Sequence, residues 1–349
     1  MTQVVSDKTL GAGLSASART RLARALRQGV PDSGMSDTGL LFGCDVGGTK
    51  VQSVLCDLAG TVLAEARDAT PRAGGEAVPD LIARHLAQLT IEAGDAGRVL
   101  AAGIGLPGTV HPVTGDLSRA PNLPAMPSRD LRGALSARLD LPVAVENDVT
   151  LAALGECWRG HGADSVAVRE GGLAFVALGT GIGMGLAWGD RMLRGARGAA
   201  GEIAWLPIGG DPADPGVHES GALESVVAGQ VLAESYRARG GTRPGTTFRE
   251  LTREGAPDPL MEEVLQELAG RVARAVLSIE AVLDPALVVF GGGIGSVADL
   301  LARIEAELAR LSPEPVPCRI SRLGNRAGAM GAVRAAALTL CDQLEEIPA

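Results

Sequence analysis

Two short stretches carry residue types suited to phosphoryl chemistry. The first is Asp45-Val46-Gly47-Gly48-Thr49-Lys50, set between the apolar runs LLFGC and VQSVLC. Glycines let the main chain come close to a ligand, and successive N–H groups in such a turn form an anion nest. A carboxylate at the end of the preceding strand can hold a hydrated Mg²⁺ that bridges phosphates. The spacing is neither GxxxxGK[ST] nor GxGxxG, and taken alone the stretch also reads as a plain tight turn. The second stretch is VAVENDVTLAALGE, Val143 to Glu156, a strand, a polar junction and a helix start. Asp148 has two readings there. It is a helix N-cap, or it is a base that takes the proton of a hydroxyl attacking phosphorus. Asn147 beside it can donate to and accept from a substrate hydroxyl.

Two further glycine turns follow apolar runs. Gly179-Thr180-Gly181-Ile182-Gly183 comes after LAFVAL, and Gly291-Gly292-Gly293 comes after ALVVF. Each is weak alone. Three such turns after three apolar runs favour a nucleotide cleft over unrelated punctuation.

The elements that position these residues follow from periodicity. LFGCDVG, KVQSVLCDL and GTVLAEARDAT read as three strands, and residues 76–95 place apolar side chains at helical spacing. VLAAGIGLPGTVHP reads as a buried strand that breaks into a Gly/Pro turn. Antiparallel strands followed by β-α-β suggest an α/β lobe. From Gly172 onward the pattern of strand, Gly/Thr turn and strand recurs, a weak internal echo. A long amphipathic helix ends at Pro285, and RAGAMGAVRAAAL reads as a late, closely packing helix. The expected division is an N-terminal arm, or helix plus linker, over 1–38; a first lobe over 39–158; and a second over 159–349, whose late helix can return to the first. SASARTRLARALRQG reads as one amphipathic helix stopping at Gly29, which falls short of the two that a helix-turn-helix needs.

Composition sets limits. The 349 residues exceed the usual size of a single core. Aromatic residues are only 2%, so the cores must be built mostly from Ala, Val, Leu and Ile. A net charge of −9 argues against broad binding to nucleic acid or anionic membrane. Cys44, Cys56, Cys157, Cys318 and Cys341 stand singly without a CxxC, as expected of a reduced cytoplasmic protein. Neither a signal peptide nor a bilayer-spanning run is visible.

CDVGGTK, GIGLPGTVHPVTGD, PNLP, ENDVTLAALGE, VALGTGIGMGL and GAAGEIA, in this order, closely resemble the ROK family of glucokinase-like sugar kinases and sugar-responsive repressors. The resemblance covers about residues 40–340 and implies the actin-like ATPase (ribonuclease H-like) fold, two α/β lobes with mixed sheets around a central cleft. It implies an ATP- and Mg²⁺-dependent kinase. Asp45, Gly47, Gly48, Thr49 and Lys50 look like the first phosphate turn, with Asp45 facing Mg²⁺ directly or through water. Gly179, Thr180, Gly181 and Gly183 look like the second, and Gly291, Gly292 and Gly293 match the segment near adenosine. Asp148 is similar to the family's catalytic base. Gly108, Asn122, Asn147, Glu202, Trp205 and Glu224 fall on acceptor-binding positions. Dimers or tetramers are a family habit, so a homodimer is possible, although no exposed apolar stripe specifies one.

The departures from the family are informative. Many members have a histidine in GEIGH and a zinc motif, CxCGxxGCxE. Here Trp205 takes the histidine position, and Pro215, Val217 and Ala222 take the cysteine positions. Zinc needs about four ligands, and His218 has too few partners nearby in sequence, so no structural zinc is expected. Trp205 either stacks on a ring with an altered anomeric side or fills the space left by the metal. A modified sugar or a C7 cyclitol therefore joins glucose as a candidate acceptor, phosphorylated on a primary hydroxyl, and kinases of antibiotic biosynthesis resemble this pattern. A sugar-responsive regulator and a non-catalytic sugar-binding protein are the alternatives. No nucleic-acid or membrane partner is expected.

Overall fold

The structure, a computed structural model, describes residues 16–28, 39–73, 76–118, 129–252 and 257–346. After an N-terminal helix α1 (Ala16–Gln28), the apolar runs become strands β1 (Gly39–Val46), β2 (Lys50–Asp57) and β3 (Val62–Ala69). Then come α2 (Ala77–Ala93), β4 (Arg98–Leu106), a short hairpin β5 (Thr109–Val110) and β6 (Leu117–Ser118), α3 (Leu131–Leu139), β7 (Val143–Asn147) and α4 (Asp148–Arg159). The sheet order is β3-β2-β1-β4-β7. β1, β2 and β3 pair antiparallel, while β1, β4 and β7 run parallel. Leu40, Phe42, Val51, Leu55 and Ile104 of this sheet pack with Leu81, Ile82 and Leu89 of α2 in one core. His85 of α2 is buried there. Its Nδ1 lies 2.9 Å from Ser53 Oγ and its Nε2 lies 3.1 Å from Asp68 Oδ2. Ser53 is fully buried, so this Ser-His-Asp chain ties α2 to β2 and β3 and offers no accessible nucleophile.

The second unit runs through α5 (Val166–Gly171), β8 (Leu173–Leu178), β9 (Ile182–Trp188), β10 (Arg191–Met192), α6 (Glu224–Val227), α7 (Gly229–Ala238) and α8 (Phe248–Leu251). It continues through α9 (Pro259–Leu283), β11 (Leu287–Gly291), α10 (Gly292–Gly295), α11 (Ala298–Leu311) and β12 (Cys318–Ile320). Its sheet order, β10-β9-β8-β11-β12, repeats the first, again with three antiparallel strands followed by parallel ones. α9 starts on the side chain of Asp258, which accepts from Leu260 and Met261 N–H, with Pro259 at its first turn. It stops at Asp284, which is left-handed at φ 44° and precedes Pro285.

α8 is short but firmly built. Thr247 and Glu250 form a capping box. The Glu250 carboxylate accepts from the N–H groups of Thr246 and Thr247, which lower its pKa to about 2 against an ordinary 4.5. A carboxyl lowered in the folded state adds stability above its unfolded value and loses it as pH falls. Amides of 246–251 should therefore exchange faster as pH drops from about 4.5 toward 2, after correction for intrinsic rates. In Glu250→Gln that pH dependence should vanish.

The last helix, α12 (Ala327–Glu346), closes the chain. By contacts, residues 328–346 belong with the first sheet, and residues 159–327 form the second unit. α1 docks on α12. Leu22, Ala23 and Leu26 are buried on one face of α1. Arg334 of α12, itself 2% exposed, donates to the carbonyls of Leu26 and Arg27. Those carbonyls are in the last turn of α1, where a helix leaves acceptors unpaired. The guanidinium also lies 5.5 Å from the centre of the Trp158 ring. Outside this contact, Arg27 pairs with Glu345 at 2.7 Å. Residues 16–28 are thus a docked helix and not a loose arm. Arg334→Met should cost about 1–3 kcal/mol by leaving those carbonyls without a donor. Hydrogen exchange should show selective loss of protection over 16–28.

All five cysteines are buried, and none of them forms a disulfide. Burial pushes the Cys44 and Cys318 thiols up to about 12, which suits packing and not nucleophilic chemistry. Among the described residues, no helix is long and apolar enough to cross a membrane.

Candidate active site

In the first unit the groups collect at the carboxyl ends of the parallel strands, where open α/β sheets carry their ligands. Asp45 ends β1 opposite Gly105 of β4, and Asn147 ends β7. Asp45 sits in a niche made by small residues. A side-chain carbon on Gly328 would lie 2.6 Å from Asp45 Cγ. One on Gly105 would lie 3.6 Å from Asp45 Oδ1 and 3.4 Å from Asp148 Cα. The two aspartates therefore flank one point at the end of β4. Burial first, then the charge of Asp148, pushes the Asp45 carboxyl up to about 7, while Lys50 pulls it back.

At the junction after β7 the helix cap is not Asp148. The cap is Asn147, whose Oδ1 accepts from Thr150 N–H at 2.9 Å. Its amide nitrogen donates to Gly108 O at 3.0 Å and to Asp148 Oδ1 at 3.2 Å. Asp148 is the first residue of α4, and its Oδ1 also accepts from Val149 N–H at 2.9 Å. Asn147 thus orients the carboxylate and ties it to Gly108, with both amide hydrogens engaged. Asn122 lies outside the described residues.

The Asp45–Lys50 stretch is a tight turn, closed by Gly47 N–H donating to Lys50 O at 2.8 Å. It leaves Gly48 and Thr49 exposed, which keeps the cradle reading compatible with the turn. Gln52, which sequence reasoning missed, faces Asp45 across the antiparallel pair. It is 7% exposed, and its Oε1 has no hydrogen-bond partner among the described residues. A polar residue inside the otherwise apolar run VQSVLC was the available signal. Two mutually repelling carboxylates and an orphaned carbonyl oxygen are the hard oxygen donors that Mg²⁺ takes. Among the described residues no group of three or more His, Cys, Asp or Glu is arranged to hold a metal. Water and phosphate oxygens would have to complete the shell.

In the second unit, Gly179–Gly183 links β8 to β9, and Gly291–Gly293 follows β11 beside it. Gly179 N–H donates to Gly181 O at 2.9 Å, and Gly179 O accepts from Gly229 N–H at 3.0 Å. Gly292 adopts φ 80°, which favours glycine, and turns the chain from β11 into α10. Thr180 is exposed. Glu224, expected to hold a sugar hydroxyl, also braces the glycine turn. Its Oε2 accepts from Ile182 N–H at 2.8 Å, and only a glycine at 181 leaves it room. A side-chain carbon there would lie 2.2 Å from that oxygen. Burial, and then the charge of Glu202, raise the Glu224 carboxyl, against the pull of the Ile182 amide. Leu223 N–H donates to Ala204 O at 3.0 Å, clipping the Glu224 segment to the Glu202–Trp205 segment. Trp205 is 43% exposed. Pro215–Val217 forms a turn capped by Asp214, His218 follows it, and Ala222 is buried.

Two sheets of one strand order, each carrying a glycine turn at the carboxyl ends of its strands, define the actin-like ATPase class. The chain belongs to the ROK family, which matches residues 41–338. It is 28% identical over 315 residues to a glucokinase of Halalkalibacterium halodurans, covering 83% of this chain and 92% of that protein. It is similar to a ROK hexokinase of Thermus thermophilus, with a TM-score of 0.71 and 32% identity over 87% of this chain and 99% of the other. It is also similar to a Streptomyces griseus ROK glucokinase solved with glucose and AMPPNP, with a TM-score of 0.69 and 27% identity over 85% and 99%.

Proposed function

We propose that the protein is an ATP-dependent kinase that phosphorylates a primary hydroxyl of a hexose, a modified sugar or a C7 cyclitol. The observation that carries this reading is the Asp45–Asp148 pair at the end of β4. Asn147 serves as helix cap there, so Asp148 can act as a base. The acceptor oxygen attacks the terminal phosphorus, its proton passes to Asp148, the bond to the β-phosphate oxygen breaks, and ADP leaves. Asp45, with Gln52 behind it, would hold Mg²⁺, which neutralises phosphate charge when bound. The exposed glycine turns present preformed N–H donors to the phosphates. Glu202 and Glu224 accept hydroxyl hydrogens of the acceptor. The named activities of the relatives, a glucokinase and a hexokinase, support the hexose class.

Trp205 supports an acceptor other than plain glucose. An indole offers one N–H donor and a broad apolar face. That favours a ring with fewer hydroxyls or an unsaturated bond on the side it meets. The test is a coupled ADP-release screen with glucose, mannose, fructose, aminosugars and C7 cyclitols. Turnover greatest on a cyclitol or a modified sugar supports the full reading. Turnover greatest on glucose leaves a kinase and removes the role given to Trp205. ADP release no faster than background with every acceptor would favour a binding protein.

A further inference from the structure

One cation beside the second glycine turn has no part in the chemistry above. α8 presents Arg249 at the surface between the buried side chains of Phe248 and Leu251, each 1% exposed. The capping box fixes this one-turn helix, so the position of Arg249 is set by its neighbours. Its Cδ lies 3.4 Å, and its Nη1 4.0 Å, from where a side-chain carbon on Gly293 would be. A side-chain carbon on Gly179 would in turn lie 3.5 Å from Gly293 N. Gly293 therefore adjoins both the phosphate turn and Arg249. Three other arginines of this unit are paired, Arg239 with Glu267, Arg243 with Asp258 and Arg303 with Glu262. The Arg249 guanidinium has no ionic or hydrogen-bond partner among the described residues.

We infer that Arg249 lays its guanidinium on the purine ring of the bound nucleotide. The inference rests on the kinase reading, which puts the phosphates at Gly179–Gly183. A nucleotide leaving that turn over Gly293 reaches Arg249 with its base end, because Gly293 lies between. Glycine at 293 leaves the surface under the ribose flat. Guanidinium is planar and weakly hydrated, and it stacks on aromatic faces in a way an ammonium does not.

Calorimetric titration with ADP tests this without an acceptor. Arg249→Ala should weaken ADP binding about tenfold, and Arg249→Lys by nearly as much, because a lysine restores the charge and not the plane. The site is exposed, so both variants should melt with the parent, which is measured alongside. Unchanged ADP affinity in Arg249→Ala overturns the inference. So does recovery to within threefold in Arg249→Lys, which would mark a phosphate contact instead. Absence of ADP binding by the parent protein would end the kinase reading itself, and this inference with it.

Discussion

Asp148→Asn should lower turnover by about a thousandfold, within the range a positioned general base contributes. ADP affinity should stay within about twofold of the parent. Asparagine keeps the size of the side chain and an acceptor for Val149 N–H. It also keeps the cap, because Thr150 N–H bonds to Asn147 and not to residue 148. The helix start is therefore preserved, and only the capacity to take a proton is lost. Stopped assays with ATP and the preferred acceptor measure the turnover, and calorimetry measures ADP binding. Near-parental turnover would show that the proton goes elsewhere. Asn147→Ala provides the contrast, since it removes both the cap and the donor to Asp148 Oδ1. A lost cap alone costs about 1 kcal/mol, so that variant should lose stability as well as rate.

Gly103→Val should prevent accumulation of folded protein or lower the melting temperature by about 10 °C or more. Gly103 is on β4, and a side-chain carbon there would lie 1.9 Å from Ala332 O and 2.6 Å from Ala332 C of α12. These are backbone atoms of a helix and cannot swing aside as a flexible side chain would. Overpacking costs about 1–3 kcal/mol where side chains can adjust, and more where a whole helix must lift. Lifting α12 would also disturb Arg334 and the seat of α1. The loss is large against a total stability of about 5–15 kcal/mol. Calorimetric melting of the purified variant decides the matter, and a midpoint within 2 °C of the parent would show that α12 tolerates displacement from β4.

Features written in contiguous residues were legible from the sequence. The apolar runs around Asp45–Lys50 and Gly179–Gly183 predicted strand, turn and strand, and those strands form β1, β2, β8 and β9. The helix in SASARTRLARALRQG was readable from its spacing, and α1 spans Ala16–Gln28. Its docking was not, because Arg334 and Cys341 lie about three hundred residues away in the chain. The polar junction at Asn147-Asp148 was visible, but which of the two caps α4 depends on where Gly108 brings its carbonyl. Gln52 was hidden for a similar reason, since its significance comes from the register that sets it opposite Asp45. Arg249 carried a local hint, the T-x-x-E capping pattern around it, yet nothing in that pattern points to Gly293. The bond from Ile182 N–H to Glu224 joins residues 42 positions apart. Periodicity reports which face of an element is buried, and it is silent about what the face meets.

The discontinuity of the first unit has a consequence for biosynthesis. Its sheet is translated early, but α12, which covers Gly103 and holds the end of α1, leaves the ribosome only after the whole of the second unit. The intervening stretch from 159 to 327 is unbroken and can reach its native arrangement while the early sheet still waits for its cover. A stop codon placed before Gly328 should therefore release a chain whose second unit has all its residues and whose first sheet lacks its covering helix.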